Sequence, residues 1–296
     1  MSTSRYETRT AVTMLDRIAE LDRLDGLADR AQSIATKVAE TLGRPAINAL
    51  HGTWLGHPLH PVLTDVPLGA WSATFIFDLM EPSSGPRARL GGDISLAVGL
   101  AGAFGAILTG WNDWRHTSGR ARRLGVVHGL LNGAATLLYS GSLIGRMTGA
   151  RSHGRTLSMV GFGISSASAY LGGALVYGEG IGVDHARGVS APPDFRRVML
   201  EADLPDGTPR RVELDGSRLL LYRRGESVSV IAETCAHLGG PLSEGSVSDD
   251  IVTCPWHGSR FSLRTGQVID GPSVFSQPCF EARARSGWIE VRTPPS

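Results

Sequence analysis

Residues 233–261 read ETCAHLGGPLSEGSVSDDIVTCPWHGSRF. The stretch holds two of the chain's three cysteines, each with a histidine close behind: Cys235-Ala236-His237 and, sixteen residues later, Cys254-Pro255-Trp256-His257. Both pairs fall where a run of β-branched residues gives way to a Gly- and Pro-containing loop. Four soft or borderline ligands on two loops are a metal-site signal. A zinc site of two Cys and two His is one reading, although structural zinc spacing usually pairs like ligands with gaps of two to four. A [2Fe-2S] centre with two cysteines on one iron and two histidines on the other is the second, each loop then supplying one ligand to each iron.

The spacing C-x-H, sixteen residues, C-x-x-H, followed by Gly258 and Ser259, resembles the Rieske iron-sulfur family over roughly residues 198–294. That resemblance implies a small antiparallel β domain with Cys235 and Cys254 as thiolate ligands of one iron and His237 and His257 as imidazole ligands of the outer one. It also implies that the two histidines sit at an exposed domain tip where electrons enter or leave. The run VIDGPSVFSQPC at 268–279 resembles the family's proline-containing third loop over the cluster. Family members of cytochrome bc complexes carry a disulfide between positions that are Gly240 and Trp256 here, and a tyrosine where this chain has Phe261; the hydroxyl of Ser259 is retained. Fewer hydrogen bonds to sulfur place the expected potential in the lower part of the roughly −150 to +300 mV range of such centres. The resemblance is therefore to Rieske-type ferredoxins, which are one-electron carriers. Cys279 matches no ligand position and is expected to be structural.

Around these loops the chain alternates short β-branched runs with Gly, Asp and Pro turns, as in RRVELDG, SRLLLYRRG and GWIEVR. N-terminal to them the pattern changes. Residues 94–112, 124–145 and 156–178 contain no Asp, Glu, Lys or Arg, and each is long enough to cross ~30 Å of hydrocarbon. Residues 62–80 form a fourth, weaker span because Asp65 and Asp78 lie inside it. Small-residue runs such as Gly99–Ala103 and Gly161–Ser165 suit close helix packing in lipid. Met14, Ile18, Leu21, Leu24, Leu27, Ile34, Val38 and Leu42 recur at helical steps between charged residues, so an amphipathic helix packed on the protein is expected before the spans. The organisation read from sequence is an N-terminal helical region (1–50), a four-helix transmembrane domain (51–178), a linker (179–197) and an all-β domain (198–296), α+β by domain.

With 296 residues, 29 Lys plus Arg against 28 Asp plus Glu and a net charge of +1, no basic surface points to nucleic acid. Three cysteines make no disulfide framework and suit a reducing compartment, and the charged N-terminal forty residues lack the apolar core of a secretory signal. Arg44, Arg115, Arg120, Arg122, Arg123, Arg187, Arg196 and Arg197 outnumber the basic residues of the opposite side, which predicts a multi-pass cell-membrane protein with both termini, and hence the β domain, in the cytoplasm.

A second set of histidines surrounds the spans: His51, His57 and His60 before and at the first, Asp113 and His116 after the second, His128 with Asn132 in the third. Parity places His57, His60, Asp113, His116 and His128 at the membrane face that carries the β domain. The GHPLHP run, with four spans, resembles a bacterial membrane-domain family of unestablished function over about 50–178. His57, His60 and His128 are candidates for a second site, a metal or haem b; the plainer reading has His57 and His60 bracing the Pro-containing start of the first span and His128 pairing with Asp65. The sequence thus predicts a membrane-anchored Rieske-type ferredoxin taking electrons from a reductase and passing them to an acceptor protein or membrane component. Its rivals are a quinol- or haem-linked oxidoreductase and a zinc-stabilised binding protein.

Overall fold

The computed structural model describes residues 13–294. Six helices, α1 (Met14–Ala19), α2 (Asp25–His51), α3 (Leu59–Ser84), α4 (Pro86–Trp114), α5 (Gly119–Met147) and α6 (Arg151–Tyr177), precede ten strands. Thr13 and Asp16 form a reciprocal cap at the start of α1. The expected single amphipathic helix is broken twice: by a short 3₁₀ turn at Asp22–Leu24, and at Gly43, where the backbone inside α2 leaves helical geometry (φ 75°, ψ 166°). Its packing face also differs from the expected one. The small residues Ala28, Ala35 and Ala39 are buried, whereas Leu27, Ile34, Val38 and Leu42 are exposed. Alanine lets the α2 backbone lie close to the ends of α4 and α5, and Gln32 uses that proximity to donate to the Trp114 and Thr117 carbonyls (3.2 and 2.9 Å). The Trp114 carbonyl also accepts from Thr117 N (2.9 Å) and Oγ1 (2.8 Å), closing the turn after α4.

Helices α3 to α6 have 26 to 29 residues each, or roughly 40 Å at ~1.5 Å per residue. Two of them, α4 and α6, are both long and apolar enough to cross a membrane. The uncharged stretch of α5 is diluted by Gly, Ser, Asn and His, and α3 carries Pro67, Asp78, Glu81 and Pro82. Of the two acids that weakened α3 as a span, Asp78 is paired inside the bundle whereas Asp65 is exposed. Arg146 of α5 donates to Asp78 Oδ1 (2.7 Å) and to Asp93 (3.1 Å), and Arg151 of α6 bridges Glu81 (2.8 Å) and Asp93 (2.9 Å). The side chains of Asp78 and Arg146 are each 1% exposed. At mid-bundle Trp71 stacks on Tyr139 (4.0 Å) over Gly99, where a Cβ would meet the indole at 2.3 Å. At the opposite end Arg120, Arg122 and Arg123 pair with Asp16, Asp22, Asp25, Asp29 and Glu179, tying α1 and α2 to α5 and α6. Three arginines counted toward orientation are thus engaged within the protein.

The β domain comprises two sheets. One runs β1 (Arg196–Leu200), β10 (Trp288–Arg292), β9 (Cys279–Arg285), β4 (Ser227–Ala232), β3 (Ser217–Arg224), β2 (Arg210–Leu214). The other is a meander of β5 (Ser246–Ser248), β6 (Ile251–Thr253), β7 (Arg260–Ser262) and β8 (Val268–Asp270), and the strand pairs are antiparallel throughout. Alternation in β3 and β4 sends Leu219, Leu221 and Val230 into one core with Ile289 and Val291, and Leu220 and Ile231 into a second core with Val252, Phe261 and Leu263. The second core lies beneath the cysteine loops. The expected linker is largely packed on the β domain: Ala186 is fully buried, the His185 amide donates to Ala236 O (3.1 Å), and Thr293 N donates to Pro192 O (2.8 Å).

A candidate metal centre facing the helical bundle

Cys235 and His237 follow β4, while Cys254 and His257 occupy the loop between β6 and β7. The two loops share one construction. In the first, Cys235 N donates to Gly240 O (2.8 Å) and Gly239 N to Cys235 O (2.9 Å); in the second, Cys254 N donates to Ser259 O (2.8 Å) and Gly258 N to Cys254 O (3.1 Å). Each turn therefore closes on a glycine four residues after its cysteine, with φ of +78° at Gly239 and +77° at Gly258, a conformation that costs a residue with a Cβ. Sequence reading saw glycine-rich loops but missed the common Cys-x-x-x-Gly frame. That frame makes the one-residue difference between C-x-H and C-x-x-H legible as two histidines reaching the same place from different turns.

Both cysteines are buried and free, and they lie side by side. The Cys235 thiol and the amides of Trp256 and His257 lie against the Cys254 sulfur and hold its pKa down to about 7, against the opposing effect of burial. The His237 and His257 rings are 5.1 Å apart, edge to face. A Cβ on Gly240 would lie 2.9 Å from Cys254 Sγ and 3.0 Å from the Trp256 ring, so the position expected to lack a disulfide is a closely packed contact. Trp256 itself is 56% exposed beside the loop. The third loop lies where expected: Ser273 N donates to the buried Ser259 hydroxyl (3.0 Å). The Gln277 amide, with its nitrogen toward Thr234 O (3.1 Å), accepts the Ala236 N–H (2.7 Å) and ties that loop to the first. Glu233, fully buried behind Cys235, accepts from Ser243 Oγ (2.9 Å). Cys279 stands apart in β9, its thiol 3.5 Å from Arg264 O.

The imidazole edge is covered. His116, in the turn between α4 and α5, packs against His237 (5.5 Å between ring centroids) and His257 (5.1 Å), and His51 at the end of α2 lies 5.8 Å from His116. His51 is 2% exposed, with Nδ1 2.9 Å from Asp113 Oδ1 and 3.0 Å from the Asn112 amide. Nε2 of His51 and of His116 are buried without a partner. Burial, followed by the charge of Arg115, keeps His116 well below the usual histidine range, hence neutral. A cavity of about 30 Å³ runs between His51, Asp113 and Thr117 on the bundle side and His237 and Pro272–Phe275 on the β-domain side, room for roughly two water molecules. The contact is fastened at Asp270, whose carboxylate accepts from Asn48 (2.8 Å), Arg44 (2.8 Å) and Arg260 (2.7 Å), while Gly271 N donates to Asn48 Oδ1 (3.0 Å).

The three histidines proposed from sequence for a second site are each tied to nearby polar groups. His57 Nδ1 lies 2.9 Å from Pro58 O, His60 Nδ1 2.9 Å from Ala106 O, and His128 Nδ1 2.9 Å from Ser168 O with Nε2 3.0 Å from the Asn132 amide. His128 therefore bonds α6 and its own helix rather than Asp65. The bundle histidines that reach the candidate centre are His51 and His116, which parity had placed on this face or beside it without singling them out.

Two thiols on one side, two imidazoles on the other and glycine-closed loops around them define a β domain built to hold a metal cluster. Residues 194–281 match the Rieske [2Fe-2S] domain, and residues 56–185 match a family described as predicted membrane protein (DUF2231). The chain belongs to the Rieske [2Fe-2S] family, with that domain fused behind a domain of the predicted-membrane-protein family. Ferredoxin CarAc of Metapseudomonas resinovorans is 33% identical over 96 residues, 32% of this chain and 90% of that protein. Human apoptosis-inducing factor 3 is 34% identical over 30% of this chain, but the match spans only 15% of that longer protein. Among solved structures, the ferredoxin of carbazole 1,9a-dioxygenase from Nocardioides aromaticivorans is 27% identical, covering 34% of this chain and 98% of its own, with a TM-score of 0.33. A Rieske domain implies a [2Fe-2S] cluster, and the donor set found here fits one. Among the described residues no three His, Cys, Asp or Glu side chains converge on a single ion, whereas a cluster with two protein ligands per iron needs no such convergence.

Proposed function

We propose that the chain is a membrane-anchored Rieske-type electron carrier in which Cys235 and Cys254 hold one iron of a [2Fe-2S] cluster and His237 and His257 the other. The observation that supports this most is the pairing of two adjacent thiols with two imidazoles 5.1 Å apart across matching loops. The cluster supplies one-electron exchange. Around it, the amides of Trp256 and His257 stabilise negative charge on sulfur, Phe261 and Leu242 keep water from the thiol side, and Ser259 fixes the third loop. The domain has no evident substrate site of its own. A reductase as donor and an oxygenase or membrane component as acceptor fit such a carrier, and α4 and α6, with α3 and α5 packed between charges paired inside the bundle, fit a multi-pass anchor with a cytoplasmic β domain. The test is an electron-paramagnetic-resonance redox titration of protein purified anaerobically in mild detergent. A rhombic [2Fe-2S] signal that disappears in Cys254→Ser is expected; stoichiometric zinc without iron or sulfide would overturn the assignment.

A second reading is favoured by the covered imidazole edge. With His116 and His51 against it, the cluster faces the bundle as it would in a membrane oxidoreductase whose second cofactor, a haem or a quinol, sits among the helices. A haem absorbance in the same preparation would choose this reading.

A further inference from the structure

His116 belongs to the bundle, yet its nearest ring neighbours are the two histidines of the β domain. His116, His237 and His257 form a near-equilateral triangle with centroid separations of 5.1 to 5.5 Å and each pair edge to face. His116 Nε2 is buried and has no partner within the protein. Leaving a buried polar atom unmatched is costly, so such an atom in a native structure needs an explanation. Behind it, His51 is held by Asp113 and Asn112, whose own positions are fixed in the last turn of α4, so the His116 side of the contact is backed by a bonded framework rather than by solvent.

A neutral imidazole that coordinates a metal through one nitrogen presents an N–H at the other, a donor that needs an acceptor. We propose that His116 is a positioning residue for the cluster: with the cluster in place, its unpartnered Nε2 is the acceptor for the free N–H of a ligand imidazole, capping the imidazole edge and lowering the reduction potential. This rests on His237 and His257 being ligands, as proposed above. The direction follows from ligand chemistry. An acceptor on the far nitrogen makes a metal-bound imidazole more electron-donating, which favours the oxidised cluster.

The test compares the parent with His116→Leu, which fills the volume without an acceptor, and His116→Gln, which restores one, by redox titration of the cluster signal at fixed pH. The leucine variant is expected to shift the one-electron reduction equilibrium about tenfold toward the reduced form, about +59 mV, with the glutamine variant returning most of the way. Pulsed spectroscopy should show the change at a histidine nitrogen while the rhombic signal itself persists. Equal potentials in parent and leucine variant would overturn the inference, as would equal shifts in both variants. Should the leucine variant not assemble, the parent decides alone: the ligand-imidazole N–H protons exchange slowly in D₂O if capped and at once if open. A parent lacking any histidine-ligated [2Fe-2S] signal would instead strike at the Rieske assignment, so the two failures are distinguishable.

Discussion

Asp270 fastens the β domain to the helical domain, and replacing it with alanine should release the contact without unfolding either part. Its carboxylate accepts from Asn48 Nδ2 at 2.8 Å and from Arg44 Nη1 at 2.8 Å, both on α2, and from Arg260 of its own domain. A hydrogen bond to a charged group contributes about 1.5–3 kcal/mol. The Arg44 side chain is 64% exposed, so its pair is discounted to about 0–1 kcal/mol. The Arg260 bond does not cross the contact and drops out of the comparison. Asp270→Ala should therefore weaken docking by about 1.5–4 kcal/mol, a loss of roughly 10- to 700-fold in the docking equilibrium. The Gly271 amide reports it directly, because it donates across the contact to Asn48 Oδ1. Hydrogen exchange followed by mass spectrometry should show residues 268–279 and 45–58 losing protection together, with the strands of the large sheet unchanged. Unchanged protection in both segments would show that Asp270 does not hold the domains together.

The same carboxyl gives a pH dependence: burial alone would raise its pKa, but the bonds from Asn48, Arg260 and Arg44 hold it below the ordinary aspartate value. Its contribution to docking is thus complete above about pH 4 and lost as pH falls through the docked value, which pH-pulse exchange of 268–279 would detect as deprotection only on the acid side. In the bundle, Arg146→Met or Asp78→Leu alone should cost about 3–5 kcal/mol by stranding a buried charge, with the double substitution recovering most of it. Thermal unfolding in detergent checks this, and a cost for Arg146→Met no larger than for the exposed Arg87→Met would contradict it. Gly240→Ala, whose methyl would meet Cys254 Sγ at 2.9 Å, should lower iron and sulfide content severalfold, while Gly188→Ala, with open space around it, should leave both at the parent level.

The β domain was legible because its chemistry is local in sequence: each Cys/His pair lies within one loop, and the strands around it alternate with period two. The outlines of the helices were legible for the same reason, since charge-free windows are contiguous. What escaped was set by contacts between distant segments. Asp78 reads as a defect in a span until Arg146, far along the chain, is seen beside it. The face of α2 was misjudged because hydropathy ranks Leu and Ile above Ala, whereas close approach of two backbones selects the smaller side chain. His57, His60 and His128 drew attention through a motif and an intramembrane position, but the carbonyls beside their Nδ1 atoms, Pro58, Ala106 and Ser168, were not legible from that pattern. His116 carries no motif at all. Its place beside His237 and His257 follows from how the β domain docks on the bundle, which no local pattern encodes.

The docked arrangement constrains how a carrier of this form works. The contact at Asp270 is polar, three hydrogen bonds between Asp270–Gly271 and Arg44 and Asn48 of α2, and bonds of that number alone would make a weak bimolecular interface. Within one chain it is not bimolecular: only the short segment from Gly178 to Gly182, with glycines at φ +71° and +75°, separates α6 from the linker packed on the β domain. A short tether supplies an effective concentration in the millimolar range, so contacts of a few kcal/mol suffice to keep the domain seated. Contacts of that size also open readily. On the proposed electron-carrier role, an edge closed by His116 in the docked state is presented to a redox partner in proportion to the undocked fraction. The polar fastening at Asp270 leaves that fraction adjustable by pH and salt while holding the imidazole edge on the bundle the rest of the time.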